Sequence, residues 1–442
     1  MDTTLRRKTA EEGVVRLRTF LSLAVLLTGL PVLAQQAVQV QPSAETVQVL
    51  GGGTAVQGAT LWVHPTDPAS SLLLVADNQA GLLLYQLDGT LRAQLAEGGA
   101  LGVDVQEGFP VGGIAQPLVM VANQTLQALV GYVVEPSTLQ FRRAGLTPIT
   151  PQGFIPSNVA LYASPTTGRF FAFAGGATGV VQQFELTAQT DGGVVSNPVR
   201  TLNVGGAVVG LAVDDAQRTL YVVQQGVGIW QYGAEPDTAD ARTSVDAVTG
   251  GGLSQPLGGV ALYKASGVRG YLLAASGGDN SVRIYERAPS AHTFRGSVTL
   301  AADGGIDAVD RPRFVVASNL ALGSRFPLGM VAVHDSANFT GNENFKLVPW
   351  PAIANAFTTP LVVDTAPGNG TGTGDGGTPD AGVDGGGGTG GIGPPVGRPG
   401  EMPDGVERPE GPSCYCASVS VPGSVLFVLA GVLLLSRRRR GA

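Results

Sequence analysis

The sequence predicts an all-β body of the β-propeller type, carried between an export signal and a C-terminal stalk and anchor. Three observations lead there. Between Val38 and about Phe357, short runs rich in Leu, Val and aromatic residues alternate with Gly, Asp, Asn and Pro clusters, and no stretch sustains apolar positions at helical spacing. One hairpin pattern recurs four times within that region. Outside it the composition changes abruptly at both ends.

The first element is the export signal. Arg6, Arg7, Lys8, Arg16 and Arg18 precede an apolar run from Phe20 to Leu33, and Val32-Leu33-Ala34 closes it before the polar Gln35-Gln36. A basic start, a short apolar core and a small-residue exit describe a secretory signal over residues 1–34, with cleavage expected after Ala34.

The body, residues 38–360, reads as strands. Ser71–Ala76, Gly81–Tyr85, Leu118–Ala122, Arg169–Ala174, Thr219–Gln224, Val227–Tyr232, Gly270–Ala275 and Ser281–Tyr285 are each apolar or aromatic and each end at a turn former. The segments LLLVADNQAGLLLYQLDG, RFFAFAGGATGVVQQFEL, RTLYVVQQGVGIWQYGAEP and GYLLAASGGDNSVRIYERA share one plan. A strand, a polar glycine-bearing turn and a second strand ending in an aromatic follow one another. A sandwich of two sheets gives no reason for such a repeat, whereas the blades of a propeller do. Trp62, Trp230 and Trp350 are expected to fill space between blades.

Residues 361–412 are dominated by Gly, Pro, Thr and Asp, cannot bury a core, and read as a flexible, disordered spacer. Residues 413–442 join Cys414 and Cys416 to an apolar run from Val419 to Leu435 and then Arg437, Arg438, Arg439 and Arg440. At roughly 1.5 Å per residue such a run reaches about 26 Å, the short end of a transmembrane helix. The four arginines would hold to the cytoplasmic side, leaving the body outside. Cysteine pair, apolar helix and arginine cluster in this order resemble a MYXO-CTERM type sorting signal, which implies a sorting protease as partner and anchorage in the cell envelope. A plain single-pass anchor is the alternative reading.

Both cysteines of the chain lie in that tail, so the body has neither disulfide nor thiol chemistry and depends on buried apolar area. With the signal and the four terminal arginines set aside, 18 basic and 31 acidic residues remain, a formal charge of about −13. So acidic a body is a poor partner for nucleic acid. The three histidines, His64, His292 and His334, stand at no metal-ligand spacing, and no nucleophile elbow or phosphate-binding loop occurs.

A family resemblance rests on particular segments. Leu61–Pro68 (LWVHPTDP), Gly81–Gly89, Val103-Asp104-Val105, Leu161–Pro165, Val213-Asp214-Asp215, Gly226–Pro236 and Asn344–Trp350 (NFKLVPW) resemble motifs of the β-propeller phytases, in the same order, across residues 45–355. The resemblance implies a six-bladed propeller and calcium-dependent hydrolysis of phosphate monoesters such as phytate. It also implies a ring of carboxylates around several calcium ions, with lysines and an arginine neutralising the substrate. Here the positions corresponding to that ring carry Gln57-Gly58, Asn78-Gln79, Leu101-Gly102, Gln124, Ser157, Val209, Gln224-Gln225 and Pro256–Gly258, and an Asp-rich loop has become Asp310–Val316. Calcium requires six to eight oxygen ligands, and metal-assisted attack on phosphate requires charge neutralisation. The expectation is therefore a phytase-like propeller with a degenerate site, non-catalytic, binding a surface ligand or protein. The alternative is a calcium-dependent phosphomonoesterase with a reduced site, acting on a phosphorylated small molecule. Of the family-type acids that persist, Asp104, Asp214, Asp215, Asp303 and Asp307, most are expected to cap turns and strand ends, with Asp104 and Asp307 the candidates for residual calcium.

Overall fold

A computed structural model describes residues 37–366 apart from 146, 191–192, 290 and 339–340. Ala34, Cys414, Cys416 and Arg437 to Arg440 lie outside the described residues, as do the signal, most of the spacer and the anchor.

Two short strands open the described residues, β1 (Ala37–Val40) and β2 (Ala44–Glu45). The first blade follows as β3 (Val56–Trp62), β4 (Leu72–Asp77), β5 (Gly81–Gln86) and β6 (Leu91–Leu95). The second is β7 (Ala100–Val111), β8 (Ile114–Asn123), β9 (Ala128–Glu135) and β10 (Gln140–Arg143). The third is β11 (Asn158–Ala163), β12 (Phe170–Gly175), β13 (Val180–Ala188) and β14 (Val194–Asn203). The fourth is β15 (Val208–Asp214), β16 (Thr219–Gln224), β17 (Gly228–Gly233) and β18 (Arg242–Ala247). The fifth is β19 (Leu257–Lys264), β20 (Gly270–Ser276), β21 (Ser281–Glu286) and β22 (Phe294–Leu300). The sixth has only β23 (Val315–Ser318), β24 (Met330–Asp335) and β25 (Asn344–Pro349) of its own. A single turn of helix, α1 (Trp350–Ala354), ends the body.

The protein is thus a six-bladed β-propeller, as the sequence implies. Each blade is an antiparallel meander, and β3, β7, β11, β15, β19 and β23 pack side by side into a closed ring around a channel, β23 returning to β3. Closure depends on the first residues. Strand β2 pairs antiparallel with β25 as the sixth blade's fourth strand, and β1 adds parallel to β22 at the outer edge of the fifth blade.

The local patterns explain why each strand takes its place. The second strands β4, β8, β16, β20 and β24 carry continuous apolar runs because blades stack face to face and cover both their sides, as the wholly buried LLLVA of β4 illustrates. Outer strands such as β6 and β10 alternate or face water. Six apolar clusters fill the six interfaces between adjacent blades. Trp62 lies fully buried between the first and second blades and Trp350 between the fifth and sixth, while Trp230 packs half-buried between the third and fourth.

Packing does not stop at residue 360. Leu361 is buried in the cluster around Trp350, whose Nε1 donates to Val362 O at 2.8 Å. Asp364 Oδ2 accepts from Ser266 Oγ at 2.6 Å and Arg269 Nη2 at 2.7 Å, so the packed chain runs several residues past the boundary drawn from composition.

Candidate functional site

The ends of the inner strands define two faces. Each inner strand starts at one face, called here the mouth, where the second strands end and where the chain passes between blades. The opposite face carries the turns after the inner strands, together with α1 and residues 361–366.

At the mouth, four inner strands begin with a β-bulge. The pairing of β3 with β4 slips between Val56 and Gly58, that of β7 with β8 between Ala100 and Gly102, that of β15 with β16 between Val208 and Gly210, and that of β19 with β20 between Leu257 and Val260. A bulge leaves one residue unpaired and re-aims its side chain. The re-aimed positions are Gln57, Leu101, Val209 and Gly258–Gly259, four of the places where the family pattern calls for carboxylate or amide.

Glycines let the strands approach closely there. A Cβ on Gly58 would lie 3.0 Å from Gly102 Cα, one on Gly210 2.9 Å from Gly259 Cα, and one on Gly258 2.1 Å from the carbonyl oxygen of Arg313. A glutamate at position 258 cannot be built without moving the segment that leads into β23. The mouth end of the channel is correspondingly narrow, a space of about 50 Å³. These residues do not fit the calcium cluster that the family pattern implies. Among the described residues no group of three His, Cys, Asp or Glu side chains is placed to hold a metal ion.

The amides that stand in for charged residues serve the loops. Gln57 Nε2 donates to Thr54 O at 2.9 Å, Gln79 Nε2 donates to Gly52 O at 2.7 Å, and Gln224 Oε1 accepts from Trp230 Nε1 at 2.7 Å. Asn158 Nδ2, one residue after Ser157, donates to Val208 O at 2.8 Å and ties the third blade to the fourth. Gln124 is exposed.

The persisting acids fall in separate places. Asp104 sits in the channel past the mouth, where Oδ2 accepts the Leu161 N–H at 2.7 Å and Oδ1 lies 3.4 Å from Thr60 Oγ1. Burial pushes its pKa up to about 6 against the pull of the Leu161 and Val105 N–H groups. Asp215 accepts the Ala163 N–H at 3.2 Å and is likewise raised by burial. Asp214 is fully buried and forms a two-pronged pair with Arg287, Nε to Oδ2 at 2.5 Å and Nη2 to Oδ1 at 2.8 Å. Asp303 turns a tight loop with Ile306. Asp307 is bonded to the Lys346 ammonium, which also meets Glu45 at 2.6 Å and Asp335 at 3.4 Å. Burial works against that ammonium, and its bonds to Asp307 and Glu45 outweigh it, holding the pKa above the usual lysine range. Asp104 and Asp307 therefore belong to different blades and different bonding networks.

Sequence reasoning did not single out a charged knot at the rim between the sixth and first blades. Buried Glu343 accepts the Val56 N–H through Oε2 at 2.7 Å, while its Oε1 lies 3.5 Å from both Arg313 Nη2 and His334 Nε2. Burial lowers the pKa of His334, against the pull of Glu343. No motif announces this group, because Arg313, His334 and Glu343 come from three separate segments of the sixth blade and meet Val56 only when the ring closes. His64 is a structural residue. Its Nδ1 accepts the N–H groups of Thr66 at 3.2 Å and Asp67 at 2.8 Å, and its Nε2 donates to Pro136 O at 3.0 Å.

A closed six-bladed propeller whose mouth is ringed by bulged strand ends is the class that the fold and site define. The chain belongs to the phytase family, whose model matches residues 13–367. It is similar to the 3-phytase of Bacillus subtilis (strain 168), 29% identical over 321 residues, covering 70% of this chain and 83% of that protein. Among solved structures, a chain of the mitotic checkpoint complex matches over 78% of this chain and 97% of its own length at 14% identity, with a TM-score of 0.39, too loose a likeness to bear on fold or function.

Proposed function

We propose that this protein is a phytase-family propeller that no longer hydrolyses phosphate esters and acts as a binding or structural module displayed on the cell envelope. The observation that carries this reading is Gly258. Its place in the family pattern belongs to a carboxylate, yet the backbone of Arg313, just before β23, leaves no room for a Cβ. Gln57 and Val209 at positions that resemble carboxylate positions, and Leu101 at one that resembles an amide position, leave the start of the inner strands without the oxygen ligands a calcium cluster needs. Exposed Leu50, Leu126, Ile155 and Val227 lie on loops of this face and favour contact with a surface ligand or protein. Display on the envelope rests on the export signal ending at Ala34 and on the Cys414, Cys416 and arginine tail.

Phosphate release from phytate and from p-nitrophenyl phosphate, with calcium and with chelator, tests the reading. No release above background and no calcium-dependent rise in Tm is the expected result. The second reading, a phosphomonoesterase with a reduced calcium site, is favoured by the similarity to a 3-phytase and by the persisting acids. Calcium-dependent release that disappears in Asp307→Ala or Asp104→Ala would establish it and overturn the first. Cell fractionation tests the display: the protein is expected in the envelope fraction, and replacing both Cys414 and Cys416 by Ala is expected to abolish its anchorage.

A further inference from the structure

The half of the channel beyond the mouth is independent of that reading and is built differently. It encloses about 420 Å³, within the size range of small-molecule sites. Aliphatic side chains of the inner strands form most of its wall, Leu161, Val213 and Leu262 among them. Charges of both signs face the same space: Asp104 and Asp215 within it and Glu107 at its rim on one side of the balance, Lys264 on the other.

Their bonding is what distinguishes the cavity. Both aspartates spend oxygens on backbone N–H groups of β11, Asp104 on Leu161 and Asp215 on Ala163. The Lys264 ammonium feels both carboxylates electrostatically but pairs with neither within 4.0 Å, and among the described residues it has no hydrogen-bond partner. Opposite charges are thus held apart across the cavity, and neither has been collapsed into an ion pair. A simple amine in this cavity would meet the lysine's like charge, and a simple carboxylate would meet the aspartates. A molecule carrying both charges completes both sides at once, and an apolar body would cover the aliphatic wall.

We propose that this cavity binds a small zwitterion of the amino-acid class with an apolar side chain, its ammonium towards Asp104 and Asp215 and its carboxylate towards Lys264. Entry is from the face opposite the mouth, where exposed Glu107 stands at the cavity's rim. The site owes nothing to phosphate chemistry and stands whether or not the mouth hydrolyses esters.

Titration calorimetry on the purified full-length protein near neutral pH decides the matter, with L-leucine, isoamylamine and isocaproate, which share the isobutyl group, and L-phenylalanine as probes. Leucine is expected to bind, with the amine and the acid each weaker by at least about tenfold, which is 1.4 kcal/mol. Lys264→Met is expected to weaken leucine at least about tenfold while leaving the far-ultraviolet circular dichroism and Tm near those of the unaltered protein, since Lys264 supports no ion pair. Asp104→Asn, which keeps an acceptor for the Leu161 N–H, is the second variant and is expected to do the same. Failure of leucine and phenylalanine to bind would overturn the proposal. So would isoamylamine binding as tightly as leucine, or full leucine affinity retained in both variants.

Discussion

At the residue scale, the buried acids of the inner ring act as ties between neighbouring strands and blades. Asp214 and Arg287 are both fully buried and join the fourth blade to the fifth, and Arg287 also donates to the carbonyl oxygens of Gly267 at 3.0 Å and Arg269 at 2.9 Å. Removing one partner leaves the other charge buried and uncompensated. Arg287→Met is therefore expected to cost about 3–5 kcal/mol, measured by urea unfolding, and a loss below 1 kcal/mol would show that the pair is replaceable. Asp104 makes a pH prediction with a definite sign. Its folded pKa of about 6 lies above the ordinary carboxylate value, so between those two values the folded protein holds a proton that the unfolded chain releases. The stability contributed by this group is full below about pH 4 and is lost as pH rises through about 6. The Tm of Asp104→Asn minus that of the unaltered protein should grow across this window, by the equivalent of at most about 3 kcal/mol and less where channel water screens the charge. A difference that stays flat from pH 4 to 7 would contradict the burial of Asp104.

At the element scale, closure of the ring depends on the shortest strands. The sixth blade has three strands of its own, and β2, two residues long, supplies its fourth by pairing Ala44 with Leu347 and Glu45 with Lys346. A protein lacking residues 37–48 would leave β25 as an open edge and take Glu45 from the Lys346 cluster. It is expected to unfold at a markedly lower temperature and to aggregate, as followed by calorimetry and light scattering. The other end is locked by α1. Trp350 stacks on Tyr263 with ring centroids 4.0 Å apart and donates to Val362 O, clamping residues 361–366 against the fifth and sixth blades. Trp350→Ala is expected to cost about 3–5 kcal/mol and to expose the segment after Pro360 to proteolysis. Strands with a continuous apolar run were legible from sequence almost to the residue: Ser71–Ala76 became Leu72–Asp77, and Thr219–Gln224 was found as read. The outer strands β6, β10 and β18 were not among the strands read, because they are half-exposed and mix charge with apolar residues. Strand β1 owes its place to a parallel partner 260 residues away in the chain, which no local pattern encodes.

At the scale of the whole molecule, the propeller separates two regions of the channel that the sequence could not tell apart. Asp104 was read with the calcium-ring residues because it follows Leu101-Gly102 in the chain, yet it belongs to the wide cavity beyond the narrow mouth. A strand carries residues two apart along one wall but at different depths, so three residues of sequence are enough to pass from one region to the other. The sequence by itself determined the all-β class, the repeated hairpin and the interblade tryptophans, because each is written in residue types at fixed local spacing. Tertiary structure alone decided that Gln57, Leu101, Val209 and Gly258 share one ring, that Gly258 has no space for a side chain, and that Lys264 faces two aspartates without pairing. The reason is physical. A closed ring brings together six strands separated by 40 to 60 residues, and the distances between them are fixed by how the blades pack, which no single segment specifies.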